Sequence, residues 1–147
     1  MSAASVFLDT NFFGRLLLND IPEHVSIVQT AMVQIQNGQL IAETSETVII
    51  ELVYLLHKTS SLPKSSVAQG VRAVLAVSNI LIPNRASLGD AIAIWDSSPA
   101  VSFADAFHLA LTASTNHKRI FSFDKALSNR VEGVVRVESL AEIQATL

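Results

Sequence analysis

No cysteine occurs anywhere in the 147 residues, which excludes disulfides and thiolate metal sites and is compatible with a reducing compartment. Charge is scarce as well: 16% of residues are Asp, Glu, Lys or Arg, against 50% hydrophobic. A surface so thin in charge suits a chain that self-associates or keeps a persistent partner. No apolar run reaches the ~18 residues a membrane span needs, and no basic segment precedes an apolar stretch at the N-terminus. The expectation is a soluble, unexported, cytoplasmic protein. Basic excess is missing too. The net charge of −3 argues against a charge-driven nucleic-acid coat protein. It is compatible with an enzyme that holds phosphate through metal ions, because the ions then supply the local positive field.

Against that background, four acids stand in apolar surroundings. Asp9 closes AASVFLD, Glu51 interrupts TVIIELVYLL, Asp105 begins DAFHLALTA, and Asp124 ends RIFSFD. An ionised carboxylate in apolar packing is heavily penalised unless something compensates it. No Lys or Arg lies close in sequence to Asp9, Glu51 or Asp105. A bound divalent metal is the economical source of compensation. Hard oxygen donors of this kind suit Mg²⁺ or Mn²⁺, which point to metal-dependent phosphate chemistry.

The rest of the chain supplies a scaffold. Short apolar runs at 3–8, 40–42, 80–82, 119–122 and 134–137 read as strands. Helical patterns fill 11–18, 23–37, 44–59, 64–77, 86–96, 102–116, 125–129 and 139–146. Asn37-Gly38 and Ser97-Ser98-Pro99 stop helices, while Thr44 or Ser45, and Ser102, are placed to start them. Strands alternating with helices predict an α/β fold, with three α/β/α layers around a parallel sheet of about five short strands. No linker or repeat divides residues 1–147, which are expected to form a single domain. In such a sheet ligands bind beyond the carboxyl ends of the strands. Asp9 and Asp124 follow strand runs directly, Asp105 opens a helix, and Glu51 lies about two helical turns after the second strand. The order of elements allows all four to line one pocket.

The strings FLDTN, IIELVYLL, SFADAFHLAL and IFSFDKAL, in this order from residue 6 to about 128, resemble the PIN-domain ribonucleases, and among them the VapC toxins of toxin–antitoxin pairs. The resemblance implies a metal-dependent endoribonuclease with Asp9, Glu51, Asp105 and Asp124 as metal ligands. Asn11 matches a polar residue that helps to order such sites, and Ser122 a small hydroxyl residue, more often Thr, two places before the last Asp. Where many relatives carry a further acid, this chain has Ser102; that departure weakens the case for a second metal ion and leaves the quartet intact. A homodimer and a cognate antitoxin, whose tail fills the active-site groove, are implied in the same way.

Each residue also has a plainer reading. Asp9, Asp105 and Asp124 could serve as helix caps or first-turn charges, and Glu51 as a partnered carboxylate on a buried helix. Glu46 is a rival to Glu51, Asn11 could be a turn residue, and Ser122 a strand-end hydroxyl. Asp90 and Asp96 read as solvated helix-end charges. His24, His57, His108 and His117 lack ligand spacing. Phe12-Phe13 and Val53–Leu56 read as core or dimer contacts rather than base-stacking platforms. Arg15, Lys118, Arg119, Lys125 and Arg130 are candidates for RNA phosphate contact. The competing functions are a non-catalytic PIN-like RNA- or protein-binding scaffold and a receiver-type phosphoacceptor. The latter lacks the adjacent acidic pair after the first strand.

Overall fold

The computed structural model describes residues 4–115, 119–130 and 134–147. Strand β1 (Ala4–Phe7) leads through α1 (Thr10–Leu18) and α2 (Pro22–Gln36) to β2 (Leu40–Glu43). A second crossover, α3 (Glu46–Tyr54) and α4 (Lys64–Leu75), reaches β3 (Ile80–Leu81). Helices α5 (Arg85–Ser97) and α6 (Phe103–Ser114) follow, then β4 (Ile120–Ser122), α7 (Lys125–Arg130), β5 (Val134–Arg136) and α8 (Leu140–Gln144). This is the expected α/β alternation, and every strand pair is parallel. The expected end of the sixth helix near Asn116, and the side chains of His117, Lys118 and Arg130, lie outside the described residues.

Local chemistry explains the boundaries. Asn37 and Gly38 end α2, with Gly38 at φ 75°, a conformation that favours glycine. Ser45, not Thr44, caps α3: its hydroxyl accepts the Val48 N–H at 3.2 Å. Ser102 caps α6 by accepting the Asp105 N–H at 3.1 Å. The core is built mainly by α3, α4 and α5, whose Ile49, Leu52, Val67, Val71, Leu88 and Ile92 are fully buried. Phe13 and Ile35 add the faces of α1 and α2 to the same core.

Two features differ from the expectation. The helix expected over 44–59 changes pitch after Tyr54 and continues as a π-helical segment, Leu55–Thr59. The wider turn closes with the Ser60 N–H on the Leu55 carbonyl, and the added residue per turn redirects the side chains that follow. The five strands, moreover, are divided between two sheets, β1-β2-β3 and β4-β5. Strands of two to four residues offer few ladder bonds, so their apolar pattern does not specify which strand is whose neighbour. Among the described residues the outer edge of β1 is unpaired, and Phe7 and Phe123 are 61% and 81% exposed.

Thr44 ties the carboxyl ends of the first sheet together. Its side chain is buried, its hydroxyl donates to the Leu8 carbonyl at 2.9 Å, and its N–H donates to the Leu81 carbonyl at 3.0 Å. Removing a buried donor costs more than the net value of an average hydrogen bond, because the acceptor is left without it. Thr44→Val is therefore expected to destabilise the fold by about 1–2 kcal/mol, measured as a lower urea midpoint with an unchanged m-value. An unchanged midpoint would show that the hydroxyl does not carry this link.

Candidate acidic site

Asp9 leaves β1 in an extended conformation and becomes the N-cap of α1, where its Oδ1 accepts the Phe12 N–H at 3.0 Å. The plainer reading of this residue is thus in place, and the cap engages one of the two carboxylate oxygens. The next residue, Thr10, donates its hydroxyl to Glu51 Oε2 at 2.6 Å. This short, charge-assisted bond spans 41 residues of sequence and brings the carboxylate of α3 beside the start of α1. Asn11 is exposed in the same first turn of α1.

Asp105 is half-buried in the first turn of α6, a helix that packs against α3. Asp124 follows β4 and caps α7, its Oδ1 accepting the Leu127 N–H at 3.1 Å. The Ser122 hydroxyl accepts the Asp124 N–H at 3.0 Å, so Ser122 shapes the turn that carries Asp124. Asp9, Glu51 and Asp105 therefore belong to elements joined through α3, which packs against both α1 and α6. Asp124 belongs to the second sheet, where β4, α7 and β5 contact chiefly one another.

The reason expected for these acids, burial in apolar packing, is corrected by their exposure. Asp9, Glu51 and Asp124 are all solvent-exposed. Glu51 interrupts an apolar run because the run wraps a helix: Leu52 and Val53 turn into the core and Glu51 turns out. The donors are hard oxygens, the right type for Mg²⁺ or Mn²⁺. Their spacing is more open, since among the described residues no three His, Cys, Asp or Glu side chains are close enough to hold one ion.

The rivals have other partners. Glu46 accepts a hydrogen bond from Asn84 Nδ2 at 2.9 Å, and Arg15 is paired with Asp20 at 2.9 Å. Arg119 and Lys125 are exposed. Asp90 is exposed, whereas Asp96 is half-buried and acts electrostatically on Lys64. Burial lowers the pKa of that lysine, Asp96 opposes the shift, and Lys58 adds to it. His57 is half-buried, with Nδ1 2.9 Å from the Leu62 carbonyl.

Sequence reasoning missed three contributors. Thr10 and Thr44 offered only cap chemistry when read locally, because their partners lie 41 and 36 residues away. Glu43 ends β2 opposite Phe7 of β1, so it stands at the same sheet edge. It met the criterion applied to Asp9, an acid closing an apolar strand.

The architecture and these acids define an α/β protein in which Asp9 leaves the carboxyl edge of a short parallel sheet and Glu51 is tied to the neighbouring Thr10. The PIN domain family model matches residues 6–132, and the chain belongs to that family. Its three-layer α/β/α architecture follows from this membership, and PIN domains are typically metal-dependent nucleases. Comparison with curated proteins and with solved structures returned no match. No helix among the described residues is long and apolar enough to cross a membrane.

The Thr10–Glu51 bond can be measured directly. A double-mutant cycle on Thr10→Val and Glu51→Gln should give a coupling energy of about 1 kcal/mol, reduced by exposure from that of a buried charged pair. Simple additivity of the two single effects would mean that the side chains do not meet in solution.

Proposed function

We propose that this chain is a metal-dependent endoribonuclease and the toxin of a toxin–antitoxin pair, with residues 1–147 acting as one domain in the cytoplasm. The observation that carries the reading is the Thr10–Glu51 bond in a PIN-family chain. It links the acid-bearing start of α1 to the acid-bearing helix α3, whose neighbour α6 bears Asp105. Asp9, Glu51, Asp105 and Asp124 would hold Mg²⁺ or Mn²⁺, which when bound supplies charge neutralisation at the phosphate and an activated water.

The protein's own residues do the positioning. The helix cap ties Asp9 to the start of α1, while Thr10 restrains Glu51. Asn11 offers a neutral donor and acceptor beside Asp9, and Ser122 sets the backbone that presents Asp124. In the overall reaction the water oxygen bonds to phosphorus, the bond from phosphorus to the 3′ oxygen breaks, and that oxygen takes up a proton. The products carry 5′-phosphate and 3′-hydroxyl ends. Exposed apolar side chains such as Phe7, Ile27 and Val33 support a homodimer and a protein antitoxin as partners.

A non-catalytic PIN-like scaffold that binds RNA or protein is the second reading. The open spacing of the acids among the described residues favours it. RNA cleavage separates the two. Purified protein incubated with cellular RNA and Mg²⁺ or Mn²⁺ should give discrete products, abolished by EDTA. Asp9→Asn should slow cleavage by about 100-fold or more with little change in thermal stability, because Asn caps a helix nearly as well as Asp. Undiminished cleavage by the variant removes Asp9 from the mechanism, and a folded wild type inert with every metal favours the scaffold.

A further inference from the structure

A cavity is walled in part by Tyr54 and by His57 and Lys58 of the π-helical segment that follows it. Its volume is about 160 Å³, and it lies between α3 with its π-helical extension, Trp95 of α5 and the first turn of α6. A cavity of about 150 Å³ with apolar walls is enough to hold a benzene-sized ring. Aromatic side chains stiffen the walls. His57 and Trp95 meet edge to face at 5.2 Å, as do Trp95 and Phe103 at 6.3 Å, a geometry favoured by the ring quadrupoles. Lys64 sits 4.7 Å from the centre of the Trp95 ring and donates to the Trp95 and Ser98 carbonyls.

Tyr54, which also lines the cavity, is the unusual residue. It stands in the apolar run Val53–Leu56, yet it is 65% exposed while Val53 and Leu56 are buried. Of the core or dimer contacts expected for that run, its exposure removes Tyr54 from the core alone. Tyr54 is three residues beyond Glu51, on the same side of α3. Ser102, another lining residue, caps the helix that carries Asp105. Two of the lining residues thus stand on the helices that carry Glu51 and Asp105, within one helical turn of each. Exposed Lys58 adds positive charge to its lining, suited to a polyanion.

We propose that this cavity receives one unpaired base of a single-stranded RNA, stacked by Tyr54, when the neighbouring phosphate lies at the carboxylates. The proposal rests on the ribonuclease reading, and it requires an unpaired base because a paired one has no free face to insert. His57 and Ser102 provide polar contacts for the base. With its Nδ1–H on the Leu62 carbonyl, a neutral His57 keeps Nε2 as an acceptor. Ser102 accepts the Asp105 N–H and still has its hydroxyl proton to donate.

Trp95 is the only tryptophan in the chain, so its fluorescence reports occupancy of the cavity without any cleavage. Short single-stranded oligoribonucleotides, titrated in EDTA, should quench it saturably, and oligomers of the same length lacking bases should not. Tyr54→Ala should weaken binding by roughly 5- to 100-fold, the range expected for one stacked base, while Tyr54→Phe should retain it. Equal quenching by abasic RNA, or unchanged affinity in Tyr54→Ala, overturns the proposal. So does quenching by an apolar peptide with no response to RNA, which assigns the cavity to a protein partner. Base-dependent quenching by a protein that cuts no RNA upholds the cavity and removes the nuclease; cleavage without base-dependent quenching does the reverse.

Discussion

The buried hydroxyl of Thr44 is the constraint from which the site is built. Its bond to the Leu8 carbonyl and its backbone bond to Leu81 hold the carboxyl ends of β1, β2 and β3 together. Both chain turns that matter leave from there. One passes from Leu8 through the Asp9 cap into α1, the other from Thr44 through the Ser45 cap into α3. Because both helices start from this tied edge, Thr10 of one meets Glu51 of the other. A polar group buried at a sheet edge must be paired, and here the pairing also sets the geometry of the acids.

Asp9, Glu51 and Asp124 are exposed, and each is held by a hydrogen bond rather than trapped by burial. Asp9 and Asp124 each give one oxygen to a helix N-terminus, and Glu51 gives one to Thr10. Such bonds restrain side chains that would otherwise sample several rotamers, which lowers the entropy that any ligand bound between them would cost. The division into two sheets is the counterweight. Asp124 travels with β4, whose only described strand partner is β5, and the acidic array is correspondingly open.

Much of this was legible in the sequence because the signals were local. Apolar runs closed by Asp9, by Asn37-Gly38 or by Ser97-Ser98-Pro99 marked element ends, and Ser102 announced the cap that the structure contains. The order of the four acidic strings indicated the PIN family, which the match over residues 6–132 shows. Long-range choices were not legible. Nothing near Thr10 or Thr44 indicates partners 41 and 36 residues away. Nor does TVIIELVYLL indicate that its helix widens after Tyr54 and leaves that ring exposed. The grouping of strands depends on pairing energies between segments of two to four residues, too short for an apolar pattern to specify neighbours.

The central proposal is that Asp9 and at least one of Glu51, Asp105 and Asp124 hold a metal ion, and anomalous diffraction from crystals soaked in Mn²⁺ tests it most directly. The account predicts an anomalous peak within coordination distance of Asp9 and at least one of Glu51, Asp105 and Asp124, and its loss in Asp9→Asn crystals. No peak at these residues at millimolar Mn²⁺, or a peak that persists unchanged in the variant, would contradict it.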